Sequence, residues 1–155
     1  MKVMLTKTAV AMLAGAALFM GIATAHSEST GNAEADFRIA EMKKLGMNMG
    51  AIGKVAKGEM SYSDSLNDNA MQIAEIAANM GKLFPEGSGV EASRAKPEIW
   101  TEKDAFQKDI ENLQAAATQL VAAVKTGDQA MIGAALKETG GTCGACHKQF
   151  RKPKD

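Results

Sequence analysis

Cysteine is scarce in this chain: 155 residues hold two cysteines, two histidines and three prolines. Two thiols cannot build a scaffold of several disulfides, and two cysteines with one adjacent histidine fall short of the four ligands of a structural zinc site. An excess of one charge is also missing, because 18 Lys and Arg balance 18 Asp and Glu. That balance excludes the basic footprint of a protein that binds nucleic acid or anionic lipid. No convincing strand pattern, internal repeat or low-complexity tract occurs, which argues against sheet-built and repeat architectures. A phosphate cradle is absent too, since Gly87-Ser88-Gly89 is not followed by a helical pattern.

The start of the chain reads as an export signal. Lys2 and Lys7 supply a positive region, residues 9–22 are apolar and uncharged, and Ala23-Thr24-Ala25 fits the small-x-small cleavage rule. The apolar stretch is barely long enough to span a bilayer and no basic stop-transfer cluster follows it. Residues 1–25 are therefore expected to be a cleaved signal peptide, leaving one domain at 26–155 without stable membrane association. That domain carries 16 basic and 18 acidic residues, a net of −2.

Four helical stripes follow. Asn32 is an N-cap candidate for a first helix over 33–57, stopped by Gly58, with Met42, Leu45, Met49, Ile52 and Ala56 on one face. A second helix after Ser63 carries Leu66, Ala70, Ile73, Ala77, Met80 and Phe84, and Pro85 ends it. Thr101 and Asp104 suggest a capping-box start for a third, with Phe106, Ile110, Leu113, Ala117, Leu120 and Val124, closed by Gly127. Asp128 caps the fourth, whose stripe is Ile132, Leu136, Thr139, Cys143, Cys146 and Phe150. Steps of four and three predict near-parallel, left-handed packing. Short links at 58–62 and 126–128 make those neighbours antiparallel, and the longer 85–100 link crosses the bundle end as an ordered loop. The fold class is all-α: an up-down-up-down antiparallel four-helix bundle.

The chemistry is concentrated in Cys143-Gly144-Ala145-Cys146-His147. Two cysteines two residues apart and followed at once by histidine form the attachment pattern of c-type haem, with the imidazole as proximal iron ligand. A thioredoxin-like redox pair would want a βαβ context, and a disulfide within one helical turn would constrain almost no chain. Cys143 and His147 share a helix face with Cys146 beside them, so one covalently attached haem c is expected along the fourth helix, inside the bundle. In bacteria such attachment takes place outside the cytoplasmic membrane, which together with the export signal predicts a periplasmic protein. A second protein ligand to the iron must come from the N-terminal side, and the first helix is its natural source.

Taken together, residues 33–152 resemble cytochrome c′ and its relatives, the class II c-type cytochromes. The resemblance rests on residues 38–50 (RIAEMKKLGMNMG), Ala56-Lys57-Gly58-Glu59, Leu83-Phe84-Pro85, Lys96-Pro97-Glu98-Ile99-Trp100, and Gly140-Gly141-Thr142 leading into the haem motif with Phe150 and Arg151 after it. A high-spin branch of that family faces the iron with an apolar residue and binds small gases. A low-spin branch, the c-556 type, supplies a methionine in an R-x-x-x-M-K arrangement. Arg38-Ile39-Ala40-Glu41-Met42-Lys43 matches the second. The resemblance thus implies Met42 as distal iron ligand and Arg38 as a contact to a haem propionate. Composition alone does not choose among Met42, Met47, Met49, Met60, Met71, Met80 and Met131, any of which can fill a core.

The expected function is a monohaem single-electron carrier and not an enzyme, with a redox-protein donor and acceptor as partners. Two rivals stay open: a gas-binding protein with Met42 merely packing nearby, and a haem-free bundle using its thiols for redox or metal handling. The resemblance also implies that Trp100 packs near the haem pocket, and that homodimerisation through the first two helices is open. Gly140 and Gly141 either give the porphyrin room or kink the helix. Lys148, Arg151, Lys152 and Lys154 form either a docking rim or favourable charges at a helix C-terminus.

Overall fold

The computed structural model describes residues 29–153. The expected signal peptide at 1–25 lies outside the described residues, as do His26 and Lys154. Helix α1, Ala33–Ala56, starts where Asn32 Oδ1 accepts a hydrogen bond from the Ala35 amide at 2.9 Å. Gly58 follows its end with φ 74°, a left-handed conformation that glycine adopts without steric cost.

Helix α2, Leu66–Ala78, stops short of Phe84. The Asn79 side chain turns back to the Glu75 carbonyl at 3.0 Å, and the chain tightens into a 3₁₀ turn over Met80–Leu83. Thr101 does not open the next long helix either. It ends a four-residue helix α3, Glu98–Thr101, and α4, Lys103–Thr126, begins after Glu102 with no side-chain cap. Pro97 explains the difference, because its fixed φ suits the residue before a new helical turn. Asp128 caps α5, Gln129–Phe150, by accepting from the Met131 amide at 2.9 Å.

Each long helix packs against two neighbours, in the order α1, α2, α4, α5 and back to α1. Ile52, Ile73, Leu120, Val124 and Ile132 are wholly buried on the facing stripes. Each such side chain contributes about 1.5–3 kcal/mol by leaving water. Among the described residues no helix is long and apolar enough to cross a membrane.

The 84–97 connection caps one end of the bundle and is pinned at three points. Arg38 reaches into it from α1; Trp100 Nε1 donates to the Phe84 and Pro85 carbonyls, each at 3.1 Å; and Ala95 pairs with Arg151 in an isolated antiparallel bridge. That bridge holds the chain just beyond α5 through Lys96 N to Phe150 O (3.0 Å) and Lys152 N to Arg94 O (2.8 Å).

Candidate haem site

Helices α1 and α5 form facing walls, and glycine contacts fix their register. A Cβ on Gly53 would lie 3.7 Å from Leu136, one on Gly133 3.9 Å from Ala56, and one on Gly140 3.9 Å from Met49. As α1 advances from 49 to 56, α5 recedes from 140 to 133, so the helices are antiparallel, and each contacting pair of residue numbers totals 189. Met42 and His147 share that total. Met49, by contrast, is level with Gly140, about two turns away from the histidine.

Between these walls lie two adjoining cavities of about 350 and 380 Å³, both lined by Met42, Phe84, Phe106, Cys146, His147 and Arg151. Each falls within the roughly 300–1,000 Å³ usual for cofactor pockets. Phe106 stacks edge-on against Phe84 on one side and Phe150 on the other, with ring centres 4.8 and 5.2 Å apart. Cys143, Gly46 and Gly140 line the second cavity.

The two cysteines are free thiols and half-buried. Burial pushes both upward in pKa, Cys146 to about 12 with help from the charge of Asp109, while Arg151 opposes. Such thiols are neutral, unlike the low-pKa thiolates of redox-exchange proteins. Burial also lowers the His147 pKa, and the Arg151 and Arg94 cations add to it, so the imidazole is held neutral with a lone pair to offer. Among the described residues no three His, Cys, Asp or Glu side chains converge on a common point. Two neutral thiols, one imidazole and one thioether between aromatic walls suit a flat, apolar macrocycle with a central metal. The residues present therefore fit a haem.

Arg38 has an occupation that the sequence did not suggest. Its guanidinium, only 3% exposed, donates to the Leu83 carbonyl (3.1 Å), Ser88 Oγ (2.8 Å), the Ser88 carbonyl (2.9 Å) and Ser93 Oγ (2.9 Å). It also sits 4.8 Å over the Phe84 ring. Four of its five N–H donors are thus spent on Leu83, Ser88 and Ser93, while the residue also lines the cleft. Trp100, in α3, is likewise bonded to the connection and lines neither cavity. Gly140 faces the cleft, whereas Gly141 opens onto the other side of α5.

Sequence reasoning missed Asp109, which lines the second cavity with its Oδ2 buried and unpartnered. Its only signal was a carboxylate wedged between the core positions Phe106 and Ile110. Burial holds this carboxyl above the usual carboxylate range.

A family model described as Cytochrome C' matches residues 33–151. The chain is 38% identical over 117 residues to a cytochrome c' of Rhodospirillum rubrum, covering 75% of this chain and 80% of that protein. It is 38% identical over 121 residues to a cytochrome c-556 of Agrobacterium tumefaciens, covering 77% and 95%. Among solved structures, the cytochrome c' of Rubrivivax gelatinosus superposes with a TM-score of 0.70 at 27% identity, covering 77% of this chain and 94% of that one. A ferrous cytochrome c prime variant from Alcaligenes xylosoxidans with bound NO does so with 0.72 at 26% identity, covering 78% and 94%. Bundle, cleft and sequence agree, and this chain belongs to the cytochrome c' family, whose members carry one covalently attached haem c.

Proposed function

We propose that this chain is an exported, periplasmic electron carrier with Cys143 and Cys146 as haem anchors and His147 and Met42 as axial iron ligands. The observation that carries this reading is the shared register of Met42 and His147 across one cleft. Cys143 and Cys146 would hold the haem through two thioether bonds, an attachment that needs no oxidant. Bound haem supplies a one-electron ferric/ferrous couple. Neutral His147 offers a nitrogen, and the soft thioether of Met42 favours the reduced state and raises the potential. Phe84, Phe106 and Phe150 exclude water around the site, which limits reorganisation as the charge changes. With His147 and Met42 both holding the iron, the chain would pass electrons between a donor and an acceptor protein and would offer no open site for catalysis. Residues 1–25 would direct export and be removed, leaving 26–155 as the working domain.

A second reading is favoured by the neighbours solved with nitric oxide. There Met42 only packs beside an open iron position and the protein binds small gases. The reduced absorption spectrum separates the two. Low-spin bands, a far-red ferric band from sulfur ligation and no prompt response to carbon monoxide support Met42 ligation. Replacing Met42 by Ala then abolishes the sulfur band and opens the iron to carbon monoxide. A high-spin wild-type spectrum with immediate carbon monoxide binding overturns the electron-carrier reading. An intact mass equal to the bare polypeptide overturns both.

A further inference from the structure

The cleft has a polar seam on its α4 side. A groove of about 460 Å³ runs along the outside of the α4–α5 contact, where Asn112, Gln119 and Glu138 face solvent. Two residues line both this groove and the 380 Å³ cavity: Asp109 from α4 and Thr142 from α5. They stand between water and the interior of the cleft. Thr142 Oγ1 donates its proton to the Thr139 carbonyl at 2.8 Å, which leaves its lone pairs to accept. Asp109 is half-buried, and its wholly buried Oδ2 has no hydrogen-bond partner among the described residues.

Among the described residues Asp109 is also the only Asp or Glu lining this cavity. Facing it from α5 are the Cys143 and Cys146 thiols, His147 and Arg151, with Glu138 outside in the groove. Helix α1, the 3₁₀ turn and the rest of α4 bring only uncharged side chains to the cavity, and α2 brings none. Holding a haem commits both sulfurs and the imidazole, and a guanidinium keeps its charge at any ordinary pH. Asp109 is then the one side chain facing this cavity that is free to change its charge when the iron does.

We propose that Asp109 is a redox-linked proton site: it takes up a proton from the α4–α5 groove as the iron gains an electron, and returns it on reoxidation. The proposal rests on the reading of the chain as a haem electron carrier. One electron from a donor protein takes ferric iron to ferrous. One proton from solvent turns the Asp109 carboxylate into a carboxylic acid, so no net charge enters the cleft. The cause is Coulombic: reduction removes a positive charge from a poorly solvated site, and a nearby positive charge is what favours a carboxylate over its acid. Burial already holds this carboxyl above its ordinary value of 3.8, which brings its titration towards neutral pH.

The reduction potential of the holoprotein, titrated from pH 3.8 up through neutrality, tests the coupling. Where Asp109 is protonated in both redox states, or ionised in both, the potential is level. Between those limits it is expected to fall as pH rises, by up to about 59 mV for each tenfold drop in proton concentration. Asp109→Asn, which keeps the shape and removes the titration, should be level throughout, matching the wild type at the acid end and lying above it at neutral pH. Glu138→Gln, which touches the groove and not the cavity, should keep the wild-type slope. Infrared difference spectra taken on reduction should show a protonated-carboxyl band that Asp109→Asn lacks. A level wild-type potential overturns the proposal without any variant. A slope that survives in Asp109→Asn assigns the proton to another group, such as a propionate, and equal loss in Glu138→Gln removes the assignment to Asp109; both overturn it. Carbon monoxide is added to the same reduced samples. Prompt binding refutes the carrier reading, whereas a low-spin, unreactive haem with a level potential refutes only the role of Asp109.

Discussion

Replacing Arg38 by Ala removes the only cation that, among the described residues, bonds the 84–97 connection to α1. Its loss strands the Leu83 and Ser88 carbonyls, whereas Ser88 Oγ keeps its bond to the Pro85 carbonyl (2.8 Å) and Ser93 Oγ still accepts from the Ala95 amide (3.1 Å). Each stranded buried carbonyl costs about 1–3 kcal/mol, and the lost cation–π contact with Phe84 adds about 0.5–2 kcal/mol. The sum spans about 2.5–8 kcal/mol; its lower half, about 4 kcal/mol, is already a large share of the roughly 5–15 kcal/mol that holds a domain folded. At about 4 °C per kcal/mol for a domain of this size, the thermal midpoint should fall by roughly 15 °C. Burial lowers the Arg38 pKa, but a guanidinium stays charged at any ordinary pH, so the loss is independent of buffer. Far-ultraviolet circular dichroism of the holoprotein measures it, with Arg38→Lys as a partial rescue that restores the charge but not the forked geometry. An Ala variant melting within about 2 °C of the wild type would refute the clamp, given that scale.

Gly89→Ala places a methyl group 2.7 and 2.9 Å from two Trp100 ring carbons, so it should destabilise the loop by about 1–3 kcal/mol, seen as a lower denaturant midpoint. A wild-type midpoint for that variant would show that the indole is free to move. Asp109→Asn tests the unpartnered carboxylate. Because burial raises its folded pKa, the native state binds a proton more readily than the unfolded chain, and stability falls as pH rises from the ordinary value of 3.8 through the folded one. The Asn variant should therefore melt above the wild type at neutral pH, with the gap closing below pH 3.8. A gap that is constant with pH would assign the effect to packing.

What could be read in advance was local chemistry. Asn32 and Asp128 cap their helices through their own side chains, Gly127 takes the left-handed position that closes α4, and the apolar stripes face one another as their spacing requires. The haem motif was legible because its five residues are contiguous. What could not be read depends on partners distant in the chain. Arg38 meets Ser88 and Ser93 across 50 and 55 residues, and nothing local distinguishes it from a surface arginine. The second helix looked longer than it is because Met80 and Phe84 continue its stripe, although after Asn79 the chain tightens into a 3₁₀ turn over Met80–Leu83. Thr101 and Asp104 have the right spacing for a capping box, but Pro97 had already started a helical turn. Met42 stood out from the other methionines through its neighbours in the motif and through its place on the core stripe near the start of the first helix, level with the end of an antiparallel fourth; Met49 lies two turns on and Met47 off the stripe. The small residues at the α1–α5 crossing give that register residue by residue.

The suture between Ala95 and Arg151 fastens the tail of α5 to the same connection that Arg38 fastens to α1. Both walls of the cleft are therefore moored to one strap. Slack in that strap would be felt by the histidine and the methionine together, and not by either alone.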